Sequence, residues 1–126
     1  VLDLPRPLLD QRIAARVDVM VRDGLLDEVR ALVARHGEAA PGLNAHGYAE
    51  VIPHLRGERT LDEALELVRR NTRTYTRRQD TWNRKQLPPG AVWLDALRPR
   101  DALADEIATR WRAATAPTLP LPESPA

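Results

Sequence analysis

Apolar residues recur at helical spacing along most of the chain, and this pattern predicts a mainly helical fold. The first such segment has an apolar residue at every third or fourth position: Leu9, Ile13, Val17 and Met20. Pro7 suits the first turn of a helix, and Gly24 suits the left-handed residue that often follows the last turn. We therefore predict a first helix from Pro7 to about Asp23.

Three shorter segments also predict helices. Residues 25–36 carry apolar side chains on one face and end at a glycine, and residues 99–113 show the same spacing further along the chain. Residues 47–56 predict a short helix that begins after Gly47, in which Pro53 removes one hydrogen bond and kinks the backbone. The connection before Gly47 is rich in turn-forming residues.

The longest predicted helix runs from Thr60 to Lys85. Thr60 and Glu63 have the spacing of a capping box, in which each side chain binds a backbone N–H of the first turn. One face of this helix carries Leu61, Leu65, Val68, Thr72, Tyr75, Gln79 and Trp82. The opposite face carries Arg70, Arg73, Arg77, Thr81 and Arg84. We expect the first face to pack against the domain and the second to carry charge.

The remaining segments are not helical in pattern. Val1–Arg6 reads as extended chain, and residues 91–94 predict a short buried strand at the edge of a sheet. The segment 114–126 is rich in proline, so we expect it to be a disordered tail. The sequence therefore predicts one mainly α domain over residues 1–113, with about five helices and one short strand.

Composition narrows the chemistry that this sequence can perform. With no cysteine among its 126 residues, the chain has no disulfide and no thiolate ligand or nucleophile, which suits a reducing compartment. Its three histidines lack acidic neighbours at a useful spacing, so no metal site is predicted. No signal peptide or membrane-spanning run is present, so we expect a cytoplasmic protein that makes no membrane contact. A glycine-rich phosphate loop is also absent from the sequence.

Positive charge is concentrated on the long helix. Between Arg69 and Lys85 there are seven bases and one acid, whereas the whole chain has a net charge of only +1. Such a run is commonly a solvated helix face. The alternative is binding to a polyanion, because guanidinium groups bind phosphate, and the Gln79 amide and the Trp82 indole can pair or stack with bases.

A second basic feature lies on the first predicted helix, where Arg12 and Arg16 are one turn apart. These arginines can simply pair with acids at the surface: Asp10, Asp18 or Asp27. The alternative is a pair of fixed cations directed at a phosphate group. The residues alone leave both interpretations open.

Four segments carry a more specific pattern. They are LLDQRIAARVDVMVRDGLLDEVRAL from Leu8 to Leu32, HGYAE at 46–50, GERTLDEA at 57–64, and TRTYTRRQDTWNR from Thr72 to Arg84. In this order they resemble the C-terminal part of the bacterial tRNA dimethylallyltransferases. The resemblance covers most of residues 6–95, and its last segment is the most distinctive.

The resemblance implies an enzyme that transfers a dimethylallyl group from dimethylallyl diphosphate to N6 of the adenosine next to the anticodon of tRNA. That family has a P-loop-type α/β core with a helical insertion and uses Mg²⁺. Its phosphate loop and general base lie N-terminal to the segments present here. We therefore expect this chain to hold no catalytic residue and no metal, and to be inactive without the N-terminal catalytic portion as its partner.

The resemblance also implies site residues and the state of the protein. Arg16, together with Arg12, would approach the diphosphate. The tRNA anticodon arm would be contacted by Ala45, His46, Gly47, Tyr48, Arg73, Arg77, Arg78, Gln79, Thr81, Trp82 and Arg84. The complete enzyme is expected to be a monomer, with Mg²⁺ bound outside this part.

Two functions thus remain open at the level of sequence. The first is the tRNA-binding and diphosphate-contacting portion of a prenyltransferase. The second is a stand-alone helical module that binds RNA or a partner and has no catalytic activity.

Overall fold

The computed structural model describes residues 1–115, and within them the fold is mainly helical, as predicted. The helices are α1 (Arg6–Arg22), α2 (Leu25–His36), α3 (Tyr48–Leu55), α4 (Leu61–Gln86) and α5 (Arg100–Thr115), with a 3-10 turn at Pro41–Asn44. The strands are β1 (Leu2–Asp3) and β2 (Leu94–Asp95). Helix α5 runs two residues beyond the predicted domain boundary at 113, and the tail from 116 onward lies outside the described residues.

The chain divides into two compact units. One unit, Pro5–Ala91, contains α1 to α4. The other unit, within the described residues, consists of Val1–Leu4 and residues 92–115, so it contains the two strands and α5. No helix within residues 1–115 has both the length and the apolar composition needed to cross a membrane.

The core of the helical unit is aliphatic, as expected for a chain without phenylalanine. One cluster joins α2 and α3 through the 3-10 turn: Leu25, Val29, Leu43, Val51 and Ile52. A second cluster joins α1 and α4: Val17, Leu65 and Val68. Burial of these side chains is the main favourable contribution to the packing of the four helices.

The predicted start of α4 is confirmed. The Glu63 backbone N–H donates to the Thr60 hydroxyl at 3.3 Å, and the Thr60 backbone N–H donates to the Glu63 carboxylate at 2.8 Å. The Thr60 backbone N–H, and after it the Thr60 hydroxyl, which also donates to the Glu63 carboxylate, lower the pKa of Glu63. The end of α1 is likewise as predicted, with Gly24 at a φ of 105° before the start of α2.

The prediction that the whole apolar face of α4 packs is wrong in its second half. Leu65 and Val68 are buried, but Tyr75 is 48% exposed and Trp82 is 59% exposed. Helix α4 has 26 residues, or about 39 Å, whereas its neighbour α3 has 8 residues, or about 12 Å. Leu65 and Val68 are covered by Val17 of α1, and α3 is too short to cover the rest of the face. Tyr75 and Trp82 belong to neither core cluster of the described residues.

The strand unit is built on a short parallel pair. Leu2 lies opposite Leu94, and Asp3 lies opposite Asp95. The Leu94 N–H donates to the Val1 carbonyl at 2.8 Å. The strand predicted at 91–94 therefore begins only at Leu94, and its partner lies in the segment that was predicted as extended chain without a strand.

Candidate nucleic-acid interface

Cationic side chains and an exposed tryptophan share one surface on the C-terminal half of α4. A shallow depression of about 400 Å³ is lined there by Thr74, Arg77, Arg78, Thr81, Trp82, Lys85 and Gln86. We call this surface the α4 strip. Its residues recur at three- and four-residue intervals, so regular α-helical geometry is enough to bring them together.

Several bases of α4 are already paired with acids. Arg69 contacts Asp18 at 2.6 Å, Arg73 contacts Glu66 at 3.5 Å, and Arg84 contacts Asp80 at 3.0 Å. By contrast, no ion pair within residues 1–115 involves Arg77, Arg78 or Lys85. These three exposed cations all lie in the α4 strip, which therefore carries positive charge that the described part of the chain does not neutralise.

The polar residues predicted to contact RNA on α4 point away from the core. Gln79 is exposed, and its amide donates to the Tyr75 hydroxyl at 3.1 Å. The Thr81 hydroxyl is also exposed and donates to the Arg77 carbonyl at 2.9 Å. Because Trp82 is largely exposed, its indole is accessible for stacking on a planar group.

The segment before α3 is held to α4 by a buried carboxylate. Glu50 is only 7% exposed, and it accepts hydrogen bonds from the Gly47 backbone N–H at 2.7 Å and from the Asn71 amide at 2.8 Å. Gly47 has a φ of 98°, which favours glycine at this position. Asn71 is missing from the predicted site residues, whereas Glu50 ends the segment from Ala45 that the resemblance implies to touch tRNA. The spacing from Gly47 to Glu50 is also that of a helix cap.

Two rings lie where this segment meets α4. The His46 ring centre is 5.7 Å from that of Tyr75, and the ring planes are inclined by 55°. His46 Nδ1 lies 3.5 Å from a carboxylate oxygen of Glu50. The structure thus brings the predicted segment Ala45–Tyr48 next to α4. It contacts α4 at Tyr75, which lies one turn before Gln79.

Tyr48 has a different environment from Trp82. Its ring packs against the core cluster of α2 and α3, and its hydroxyl donates to the Glu28 carboxylate. This hydrogen bond, followed by burial, raises the pKa of Tyr48. These contacts give the Tyr48 ring a packing role in the core. Its contact with tRNA stays a prediction.

The network around Glu50 predicts a loss of stability in acid. Burial alone would raise the pKa of Glu50, but hydrogen bonds from Asn71 and Gly47 outweigh it and hold the pKa below its ordinary value of 4.5. A depressed pKa in the folded state stabilises the fold above 4.5 and ceases to do so as the pH falls through the folded value. Thermal melts at successive pH values below 6 should therefore show a smaller acid-induced loss of stability in Glu50→Gln than in the wild type. Equal losses in the two proteins would contradict this.

Arg12 and Arg16 are both exposed on α1. The predicted surface pairs with acids are not formed, since Asp18 binds Arg69 and Asp27 binds Arg30 at 2.6 Å. Within residues 1–115 no ion pair involves either arginine. Two guanidinium groups one turn apart are therefore accessible to an anion.

No group of three or more His, Asp or Glu side chains within residues 1–115 is arranged to hold a metal ion. Mg²⁺ therefore stays a prediction for the complete enzyme.

A family model described as IPP transferase matches residues 1–86. The tRNA dimethylallyltransferase of Caulobacter sp. (strain K31) is 48% identical over 110 residues, which is 85% of this chain and 35% of the relative. That of Anaeromyxobacter dehalogenans (strain 2CP-C) is 47% identical over 109 residues, which is 86% of this chain and 36% of the relative. The chain thus spans about a third of the length of these curated relatives.

Solved structures give the same result. The tRNA delta(2)-isopentenylpyrophosphate transferase of Staphylococcus epidermidis superposes with a TM-score of 0.82 at 32% identity, covering 90% of this chain and 37% of that one. The full-length tRNA isopentenylpyrophosphate transferase of Bacillus halodurans gives 0.78 at 35% identity, covering 89% and 37%. The predicted fold and the predicted resemblance are both confirmed, and the chain belongs to the IPP transferase family.

Proposed function

We propose that this chain is the tRNA-binding and diphosphate-contacting portion of an enzyme that transfers a dimethylallyl group to tRNA. The donor is dimethylallyl diphosphate, and the acceptor is N6 of the adenosine next to the anticodon. Membership in the IPP transferase family supports the reaction class. The observation that carries the tRNA-binding role is the α4 strip, where Arg77, Arg78 and Lys85, which form no ion pair within residues 1–115, lie beside an exposed Trp82.

The chemistry explains why such a surface is needed. An exocyclic amine inside a stack of bases is out of reach, so the adenine must leave its stack and be held near the prenyl carbon. Cations on a helix bind the phosphate backbone, and an aromatic face holds an unstacked base. The α4 strip offers both kinds of group on one surface.

The test of this proposal is direct binding. The chain is titrated into a labelled anticodon stem-loop that has adenosine next to the anticodon, and the anisotropy is followed. A labelled RNA duplex of equal length serves as the control. Tighter binding to the stem-loop supports the proposal, equal binding to both RNAs favours the stand-alone RNA-binding module, and binding to neither contradicts the tRNA-binding role.

The diphosphate-contacting role belongs to Arg12 and Arg16. In the reaction the bond from the prenyl carbon to the diphosphate oxygen breaks, and cations stabilise the charge that leaves with the diphosphate. The two exposed guanidinium groups of α1 have no acidic partner among residues 1–115 that would compete for them. They are therefore suited to binding diphosphate oxygens.

We expect the double variant Arg12→Gln/Arg16→Gln to bind inorganic diphosphate about tenfold more weakly than the wild type, because charge-assisted hydrogen bonds are lost. Isothermal titration at low salt measures the affinity. The double variant Arg35→Gln/Arg100→Gln removes the same charge from exposed positions on other helices and should bind like the wild type. If both variants bound diphosphate equally weakly, the loss of affinity would depend only on net charge.

The proposal has further parts that concern the complete enzyme. Mg²⁺ is expected to supply positive charge at the diphosphate there, and an N-terminal catalytic portion is expected to supply the phosphate loop and the general base. We propose that the enzyme is a cytoplasmic monomer and that this chain alone transfers no dimethylallyl group.

A further inference from the structure

Glu50 is a buried carboxylate whose hydrogen bonds join two parts of the helical unit. One oxygen accepts from the Gly47 backbone N–H, which precedes α3, and the other accepts from Asn71 on α4. A buried charge is costly unless hydrogen bonds compensate it, so a carboxylate at this position needs both donors. The pair Glu50–Asn71 therefore links the segment before α3 to α4.

The side chain held by this link is His46. Its Nδ1 lies 3.5 Å from Glu50, and its ring centre lies 5.7 Å from that of Tyr75. The His46 side chain is 57% exposed, and Tyr75 is 48% exposed. The two tilted rings thus form a small aromatic surface at the protein exterior, one ring coming from each side of the Glu50 link.

We propose that Glu50, held by Asn71, is a positioning residue that fixes His46 against Tyr75 so that the two rings contact a nucleobase of the bound tRNA. The inference rests on the proposed function and assigns it a second aromatic contact besides Trp82. Tyr75 is one turn from Gln79, whose amide binds the Tyr75 hydroxyl and restrains its ring. Stacking on a base requires rings that are accessible and already oriented, and both conditions are met here.

The chemistry of the link allows a sharp substitution test. Gly47 and Asn71 both donate to Glu50, so the amide of Glu50→Gln accepts from one of them and presents its own N–H group to the other. In Glu50→Gln/Asn71→Asp the direction of the second hydrogen bond is reversed. The new amide replaces the oxygen that faces both Asn71 and His46, so it donates one N–H to the aspartate and the other to Nδ1 of a neutral His46. Its oxygen still accepts from Gly47, and the pair keeps its single negative charge.

The direction of the effect separates positioning from charge. Glu50→Gln removes a negative charge near the bound RNA, which by electrostatics alone strengthens binding. If Glu50 instead positions His46, Glu50→Gln must weaken binding. We expect about tenfold weaker binding of the anticodon stem-loop by Glu50→Gln, and recovery to within about twofold of the wild type in the reversed pair. Circular dichroism checks that all three proteins are folded at the temperature of the titration.

A double-mutant cycle shows whether the effect passes through His46. In a His46→Ala background, Glu50→Gln should cause little further loss of affinity, because the side chain that it positions is already gone. If Glu50→Gln does not fold, Tyr75→Ala is used instead, because Tyr75 is exposed. The loss of affinity caused by Tyr75→Ala should not add to the loss caused by His46→Ala. Proton NMR should also show contacts between the two rings in the wild type and in the reversed pair.

The outcomes distinguish the inference from the function on which it rests. If the wild type binds the stem-loop and Glu50→Gln binds equally or more tightly, the inference is overturned and the proposed function stands. Losses that add in the double-mutant cycle also overturn it. If the wild type does not bind the stem-loop, both fail.

Discussion

Replacing Arg77, Arg78 and Lys85 together by glutamine is expected to flatten the salt dependence of tRNA binding by about 2 to 3 units on a double-logarithmic plot. Each cation that neutralises an RNA phosphate releases condensed counterions, at about 0.7 to 0.9 units of slope per contact. These three side chains are exposed and have no ion pair within residues 1–115, so they reach a phosphate without breaking an existing contact. Titrations at several salt concentrations measure the slope.

A matched variant separates the α4 strip from net charge. Arg35→Gln/Arg100→Gln/Arg112→Gln removes the same charge from exposed positions on α2 and α5, and its salt slope should equal that of the wild type. Surface substitutions of this kind usually change stability by no more than about 0.5 kcal/mol, so both triple variants should melt near the wild-type temperature. An unchanged slope in the α4 variant would mean that the strip is a solvated face.

Trp82→Ala is expected to weaken tRNA binding by about 1 to 3 kcal/mol, roughly a 5- to 150-fold change, while leaving the melting temperature nearly unaltered. The indole is 59% exposed, so its removal leaves no large cavity. A buried tryptophan would instead cost about 3 to 5 kcal/mol of stability. Affinity and thermal melts of the same protein separate the two roles.

Trp111→Ala is the control for this substitution. Trp111 is 70% exposed on α5, so its removal takes away a similar exposed ring from the other unit. We expect this variant to bind tRNA like the wild type. A drop in the melting temperature of Trp82→Ala without a loss of affinity would mean that Trp82 packs within the protein and does not contact tRNA.

Local signals in the sequence predicted the helix boundaries well. The capping box fixed the start of α4 at Thr60, and the apolar spacing between two glycines delimited α2 at the observed residues. These signals depend on backbone groups of the same few residues, so they can be interpreted without knowing the rest of the fold. The aliphatic character of the core followed equally from the absence of phenylalanine.

Features that depend on distant partners were not predictable in this way. An apolar face at helical spacing shows which residues can pack, but the length of the neighbouring helix decides which of them do. Tyr75 and Trp82 continue the face of Leu65 and Val68, but only the latter two meet Val17 of α1, and both aromatic residues are exposed. The same reason applies to Asn71, whose role depends on a carboxylate that is 21 positions away along the chain.

The short parallel strands bear on the order in which the molecule folds. Their pairing joins positions 92 residues apart, and the hydrogen bond from the Val1 nitrogen to the Val92 carbonyl joins positions 91 residues apart. Each helix, by contrast, closes its hydrogen bonds over four residues. Bringing distant segments together has an entropic cost that grows with the length of the intervening chain. Helices α1 to α4 shorten that intervening chain when they form. We therefore expect β1 and β2 to pair late in folding and to be the first elements to separate when the protein is heated.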